Sequence, residues 1–299
     1  DMSGRVLRAK TLLIPAQGRI DLDGGHGFAG PQMVGFHEIV PADGQAPYHA
    51  DIVRYGGNAQ AGAEPTAYRF AYAQNARAAS GQMLQTFVSA SSSSEENWLE
   101  IINTLTQKVR VAVELHEPSG RRVHLEYLDL VAHEQRHLNA GAILRQHNAS
   151  TGFASLQPDA PNALIAQSMF YYRDTGTGGI ATVYGLPAKE AVGRTITGSY
   201  NVFLGMENYL QVANPSDAPV SLTIRVTTPL ALSEQRLEIA PQSMFSLPLL
   251  TSRLFDLTPD SYGLVAIEAN NSAGLLAELL RYRTSNEGPD FIVPVPLHP

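Results

Sequence analysis

Residues Asn97-Trp98-Leu99-Glu100-Ile101-Ile102-Asn103 recur as Asn208-Tyr209-Leu210-Gln211-Val212-Ala213-Asn214, 111 residues further along the chain. Gly152-Phe153 recurs as Gly263-Leu264, and Tyr171 as Tyr282, at the same spacing. Three landmarks held in one register mark a tandem duplication. A repeat of this kind restricts the fold severely: one unit must serve twice, and the two units must pack beside each other.

The unit reads as β-structure. In the second copy, Val220-Ser221-Leu222-Thr223-Ile224-Arg225-Val226 places an apolar residue at every second position, the period of a half-buried strand. Asn208 to Ala213 alternates in the same way, and Asn214-Pro215-Ser216-Asp217 has the composition of a turn. Further strands are expected over Ile180–Tyr184, Tyr200–Leu204, Arg236–Ile239 and Phe245–Leu247, then a single helical turn near Leu250–Leu257. Gly263–Glu268 and Leu275–Arg281 read as a hairpin. Val109–Leu115 and Val123–Val131 supply the counterparts in the first copy. Many short strands separated by regular turn signals predict an all-β chain of tandem β-sandwich domains with a repeat of 111 residues.

A third, partial copy opens the chain. Ser3-Gly4-Arg5-Val6 matches Ser119-Gly120-Arg121-Arg122-Val123, Leu12–Pro15 matches Leu237–Pro241, Gly35-Phe36 matches Gly152-Phe153, and Arg54-Tyr55 matches Arg281-Tyr282. At the other end Phe291-Ile292-Val293-Pro294-Val295 matches Ile180–Tyr184, read here as the first strand of a unit. The expected division is 1–57 as the second half of a first sandwich, 58–173 and 174–284 as complete sandwiches, and 285–299 as a tail. Half a sandwich leaves apolar surface and unpaired edges, which invite association. Phe291, Ile292, Val293, Val295 and Leu297 are therefore candidates for an assembly strand that completes the half-unit, within the chain or from a neighbouring copy. The start at Asp1-Met2-Ser3-Gly4, with no signal peptide, reads as a mature or excised piece of a longer chain.

Composition removes several classes of function. A formal charge of −7, with no run of more than two Lys or Arg, argues against a nucleic-acid groove or an anionic-membrane patch. With 0 cysteines there is no disulfide framework, thiolate zinc site or cysteine nucleophile. No apolar stretch approaches the roughly 18 residues of a membrane-spanning helix, so membrane insertion is not expected within the chain.

One segment resembles an active site. His133-Glu134-Gln135-Arg136-His137 is a literal HExxH, which binds zinc only when a helix sets the two histidines one turn apart. Its counterparts, Pro241-Gln242-Ser243-Met244-Phe245 and Pro15-Ala16-Gln17-Gly18-Arg19, read as a turn between two strands. A helix is therefore not expected, and a zinc hydrolase is the remotest alternative. Gly25-His26-Gly27-Phe28-Ala29-Gly30 matches a dinucleotide fingerprint but runs into Pro31 and a strand-like segment instead of a helix. Asp21 and Asp23 lack the longer ligand series of a calcium loop. Glu95-Glu96 beside Ser89–Ser94 reads as a polar connection, and Asn148-Ala149-Ser150 and Asn270-Asn271-Ser272 are sequons near expected loops. No catalytic residue, cofactor or metal site is assigned.

The aromatic residues are the better ligand candidates. Trp98 and Tyr209 are equivalent, as are Tyr171 and Tyr282, with Tyr55 and Tyr172 marking the same strand end. Exposed, such rings could stack on sugars; packed, they would anchor strand edges and inter-domain seams. The order of the unit is an Asn-flanked strand, an Asn/Pro turn, an alternating strand, a strand ending at Pro, then a hairpin ending in Arg-Tyr. In this it resembles the tandem Ig-like β-sandwich repeats of bacterial surface and secreted proteins, and also the single β-sandwich of sensory rhodopsin transducer-like proteins. That resemblance implies an extracellular or cell-surface structural, fibre-forming or adhesive array, with copies of itself or a larger surface assembly as partners. The alternative is a carbohydrate-binding module that takes glycans through Trp98, Tyr209, Tyr171 and Tyr282.

Overall fold

The computed structural model describes residues 1–22, 34–42, 48–57, 68–174, 176–191, 193–270, 274–285 and 288–298. The chain is 52% strand and 4% helical, and the sheets are antiparallel. The first complete sandwich contains β3 (Leu84–Ser89), β4 (Glu95–Asn103), β5 (Val109–His116), β6 (Arg122–Leu130), β7 (Gln135–Leu138), β8 (Thr151–Pro158), β9 (Leu164–Arg173) and β10 (Ile180–Pro187). They follow β1 (Asp51–Gly57) and β2 (Tyr68–Asn75), which among the described residues pair only with each other. The two sheets of the sandwich have the orders β3-β8-β5-β6 and β10-β9-β4-β7.

The second sandwich repeats this with β11 (Thr195–Asn201), β12 (Glu207–Asn214), β13 (Val220–Thr227), β14 (Leu232–Ile239), β15 (Ser243–Pro248), β16 (Tyr262–Ala269), β17 (Leu276–Ser285) and β18 (Gly288–Val295). Its sheets are β11-β16-β13-β14 and β15-β12-β17-β18. Alternation accounts for the cores. Val109, Val111, Val113 and Leu115 of β5 point inward, as do Val220, Leu222, Ile224 and Val226 of β13.

The repeated asparagines are framework. Asn103 Nδ2 donates to the carbonyls of Gln107, Leu130 and Val131, while its Oδ1 accepts from the Leu105 N–H. Asn214 does the same for Ala218, Ile239, Ala240 and Ser216. A buried amide that meets four backbone groups holds one turn against another, so both copies keep it.

The structure differs from the sequence reading in phase. Ile180–Pro187 does not open the second unit; it pairs with β9 and closes the first. The tail strand likewise pairs with β17 of its own sandwich. Val295 enters that core, Leu297 packs against it, Ile292 joins the inter-sandwich cluster and Val293 is exposed. The assembly-strand residues are thus engaged in cis, and not on the half-unit. Tyr68 onward belongs with β1 through β2. A period determines spacing but not the starting strand, because pairing partners are chosen by long-range contact.

Three local expectations also change. Gly263–Glu268 and Leu275–Arg281 are not a hairpin, because β16 and β17 lie in different sheets. Residues 203–205 form a 3-10 turn where a strand was expected, and no helix forms over 250–257. A helix, α1 (Ala140–Gln146), forms instead in the first sandwich, where Asn139 Oδ1 caps the Ala142 N–H at 2.9 Å.

The units stack by one rule, applied twice. Gln135 N–H donates to the Met2 carbonyl at 2.9 Å, and Met244 N–H donates to the Pro118 carbonyl at 3.1 Å. Gly4 and Gly120, both at positive φ, lie against the backbone of Ala132-His133 and Pro241-Gln242 respectively. Gln17, His133 and Gln242 share a left-handed conformation at the same turn of three successive units. The half-unit therefore meets the first sandwich as the first sandwich meets the second.

Candidate functional site

The HExxH segment is a turn followed by a strand. His133 sits at φ 56 in the turn and His137 in β7, so the two imidazoles do not share a helical face. Glu134 accepts from the Val131 N–H and pairs with Arg136. Among the described residues no group of three or more His, Asp or Glu side chains is placed to hold a metal. Asp21 is paired with Arg19, Asp23 and the Gly25–Gly30 motif lie outside the described residues, and so do Asn271 and Ser272 of the second sequon. Asn148 of the first is exposed just after α1. Glu95 is buried, and its Oε2 accepts from Ser91.

His137 instead joins a cluster on the outer face of the sheet, at the first seam. The pairing register sets Glu100 between His137 on β7 and Gln167 on β9. Glu100 is only 5% exposed. Its Oε2 accepts from Gln167 Nε2 at 2.6 Å and lies 3.5 Å from Arg54 Nη2, which β1 brings from the half-unit. His137 Nε2 lies 4.0 Å from Glu100 Oε1 and 2.7 Å from Gln135 Nε2. Burial holds His137 below its ordinary value, more than Glu100 raises it, and Arg54 lowers it further. With the ring neutral, Nε2 accepts from the Gln135 amide. Tyr72 of β2 donates its hydroxyl to the Gly185 carbonyl at 3.0 Å, and burial pushes that phenol up to about 12.

The ligand candidates fall into two pairs. Trp98 and Tyr171 lie on this same outer face, half-buried; Trp98 Nε1 reaches Glu96 Oε2 at 3.5 Å, and Glu96 is held below its ordinary value by Arg173. The Tyr171 phenol is raised by burial, then by Glu100, with Arg54 opposing. Tyr209 and Tyr282 pack edge to face at 6.2 Å on the equivalent sheet of the second sandwich, with Tyr209 in the second seam. Tyr171 reaches Arg54 of the first seam and Tyr209 lies in the second, so the two pairs belong to different sheets.

The second seam is mainly apolar. Phe87, Phe153, Phe170, Tyr172, Tyr184 and Leu186 of the first sandwich bury Ala213, Met244, Leu276 and Leu280 of the second. Phe170 and Tyr184 stack at 4.4 Å with 4° between the rings. Lys189 pairs with Glu278 across it at 2.6 Å and also donates to the Ala277 carbonyl. Position by position, Glu100–Gln167 of the first seam becomes Gln211–Glu278 in the second. Motif reading overlooked Arg54, Glu100, Gln167, Lys189 and Glu278. Comparing the copies residue by residue would have exposed the Glu/Gln exchange, but not the cations that serve it.

No protein-family model matches the chain, and no curated protein matches it. Among solved structures, Thermotoga maritima 1070 aligns over 34% of this chain and 91% of its own, at 15% identity and TM-score 0.29. The Amycolatopsis orientalis exo-chitosanase CsxA aligns over 71% of this chain at 12% identity and TM-score 0.17. The chain spans 24% of that enzyme. Likeness this distant carries nothing about chemistry.

Proposed function

We propose that this chain is a non-catalytic structural or adhesive β-sandwich array, working in an extracellular or cell-surface setting. One observation carries the reading: the backbone hydrogen bond from Gln135 to Met2 recurs from Met244 to Pro118. Side chains that meet between units follow the same plan, with Tyr72 against β10 and Tyr184 against the sheet of β17 and β18. A contact rule that repeats between successive units builds length, which a scaffold or fibre needs. The setting rests on the resemblance to surface-protein repeats.

Small-angle scattering tests the reading. The chain should behave as a rigid, elongated stack, and opening the second seam with Leu276→Asp and Leu280→Asp should broaden its distance distribution. A hydrolytic activity abolished by Glu100→Gln in a folded protein would overturn it. A second reading, glycan binding, is favoured by Trp98 and Tyr171, which are half-exposed beside Glu96 and Glu100. Its test is glycan-array binding lost in Trp98→Ala; no signal from the intact protein would remove it.

A further inference from the structure

In each complete sandwich, nearly all pairing runs through the first three strands. β6 pairs only with β5, β7 only with β4, and β8 only with β3 and β5. β14, β15 and β16 likewise depend on β13, β12, and β11 with β13. Only the last two strands, β9 with β10 and β17 with β18, pair with each other. With the first three strands removed, one two-stranded ladder would survive.

The N-terminal region has that form. β1 and β2 make a two-stranded sheet, and no strand occurs among the described residues of 1–50. Those residues still carry the landmarks of a unit, including the left-handed Gly4 and Gln17 that match Gly120 and His133. Their apolar side chains face solvent: Val6 is 76% exposed, Leu13 90% and Val40 71%. Among the described residues no strand lies on the edge of β1 away from β2, whereas that edge of β9 holds β4 and that of β17 holds β12. Residues 5–14 and 34–40 form no strand, whereas their counterparts β6 and β8 are strands paired with β5 and with β3 and β5.

We propose that the free edge of β1 is a strand-acceptor site, and that its occupant is the first half of a unit of this same repeat. That three-strand segment would be patterned like residues 195–227 and would seat its second strand antiparallel to β1. This rests on the array reading and specifies the partner of its first unit. The register follows from the second sandwich, where Asn208 lies opposite Arg281 and Gln211 opposite Glu278. Arg54 stands where Arg281 stands, so an asparagine of the occupant faces Arg54, and the residue in the Gln211 place faces Asp51. A glutamate there would set like charges directly opposite each other. The occupant therefore resembles β12, with Gln at that place, more than β4, with Glu100.

Amide exchange on the full chain tests this in two forms. One carries a second copy of residues 193–228 fused ahead of Asp1; the other is mixed with a synthetic peptide of residues 206–214. The fusion should slow exchange over 5–14, 34–40 and β1 by at least about tenfold. The peptide should protect β1 alone, and its Gln211→Glu form should bind up to about fivefold more weakly. A fusion with Tyr209→Pro and Gln211→Pro in the added copy, whose strand lacks those donors, should protect nothing. Unchanged exchange in the first fusion, or equal protection by a scrambled peptide, overturns the proposal. The amides of Gln135 and Met244 separate the two ideas. If they stay protected while β1 does not respond, only the acceptor site fails; if they exchange like surface amides, the array reading fails.

Discussion

The two seams of this molecule share a backbone plan and differ in chemistry. Both use the same turn-to-turn hydrogen bond, from Gln135 to Met2 and from Met244 to Pro118. The second fills its centre with Phe170, Tyr184, Leu276 and Leu280. The first puts Arg54 where Phe170 stands and closes over Glu100, Gln167 and His137. Apolar burial gives strength without needing exact partners, whereas a buried carboxylate is favourable only while its partners stay in place. The second seam therefore holds the stack together, and the first is the seam that a change in charge can loosen.

The largest effect should come from cutting into the strong seam. Phe170→Ala removes a fully buried ring stacked on Tyr184 and should cost about 3–5 kcal/mol, read from urea unfolding. A loss below about 1 kcal/mol would show that the seam adds little to either sandwich. Next is the turn glycine that both seams use. Gly120→Ala and Gly4→Ala each force a side chain into positive φ against the neighbouring unit's backbone, at about 1–3 kcal/mol. The Gly120 change should lower global stability, while the Gly4 change should only speed exchange in β1 and β2. Equal effects at both would erase the distinction between the seams.

The Glu/Gln exchange offers a finer test. Glu100→Gln should loosen the first seam by about 1 kcal/mol, since Arg54 is partly exposed and its pairing is screened. Adding Gln167→Glu moves the carboxylate across the strand pair, as in Gln211–Glu278, and should recover the loss to within about 0.5 kcal/mol in a double-mutant cycle. No recovery would mean that Arg54 reads the position of the charge and not its presence.

The smallest effect is on pH. The folded His137 value lies below the ordinary 6.5 because burial disfavours its charged form. Its contribution is full above 6.5 and is lost as pH falls through the folded value, because the unfolded chain binds the proton more readily. Protection factors at β7 and β1, corrected for the intrinsic exchange rate, should therefore fall on acidification, and His137→Phe should flatten that dependence. A dependence of opposite sign would place His137 charged against Glu100.

Much of the fold could be read from local pattern. The alternation of Val109–Leu115 and Val220–Val226 forecast paired core strands, and the Pro241-Gln242 counterpart correctly took the HExxH segment out of a helix. The helical turn expected at Leu250–Leu257 forms instead at the equivalent place in the first copy, as α1, where Asn139 caps it. The polar cluster was missed for a different reason: Arg54, Glu100, His137 and Gln167 come from four strands in two units, and no short window contains them.

The sequence by itself determined the period, the inward face of the alternating strands, and turns such as Asn214–Asp217. These depend on neighbours within a few positions, where backbone sterics and side-chain alternation act. Only the tertiary structure decided that Ile180–Pro187 closes the first sandwich, that the tail completes the second, and that one seam centres on an ionic cluster while the other is mainly apolar. Those choices depend on which edges and charges meet across the fold, and sheet pairing is a long-range contact that no local pattern specifies.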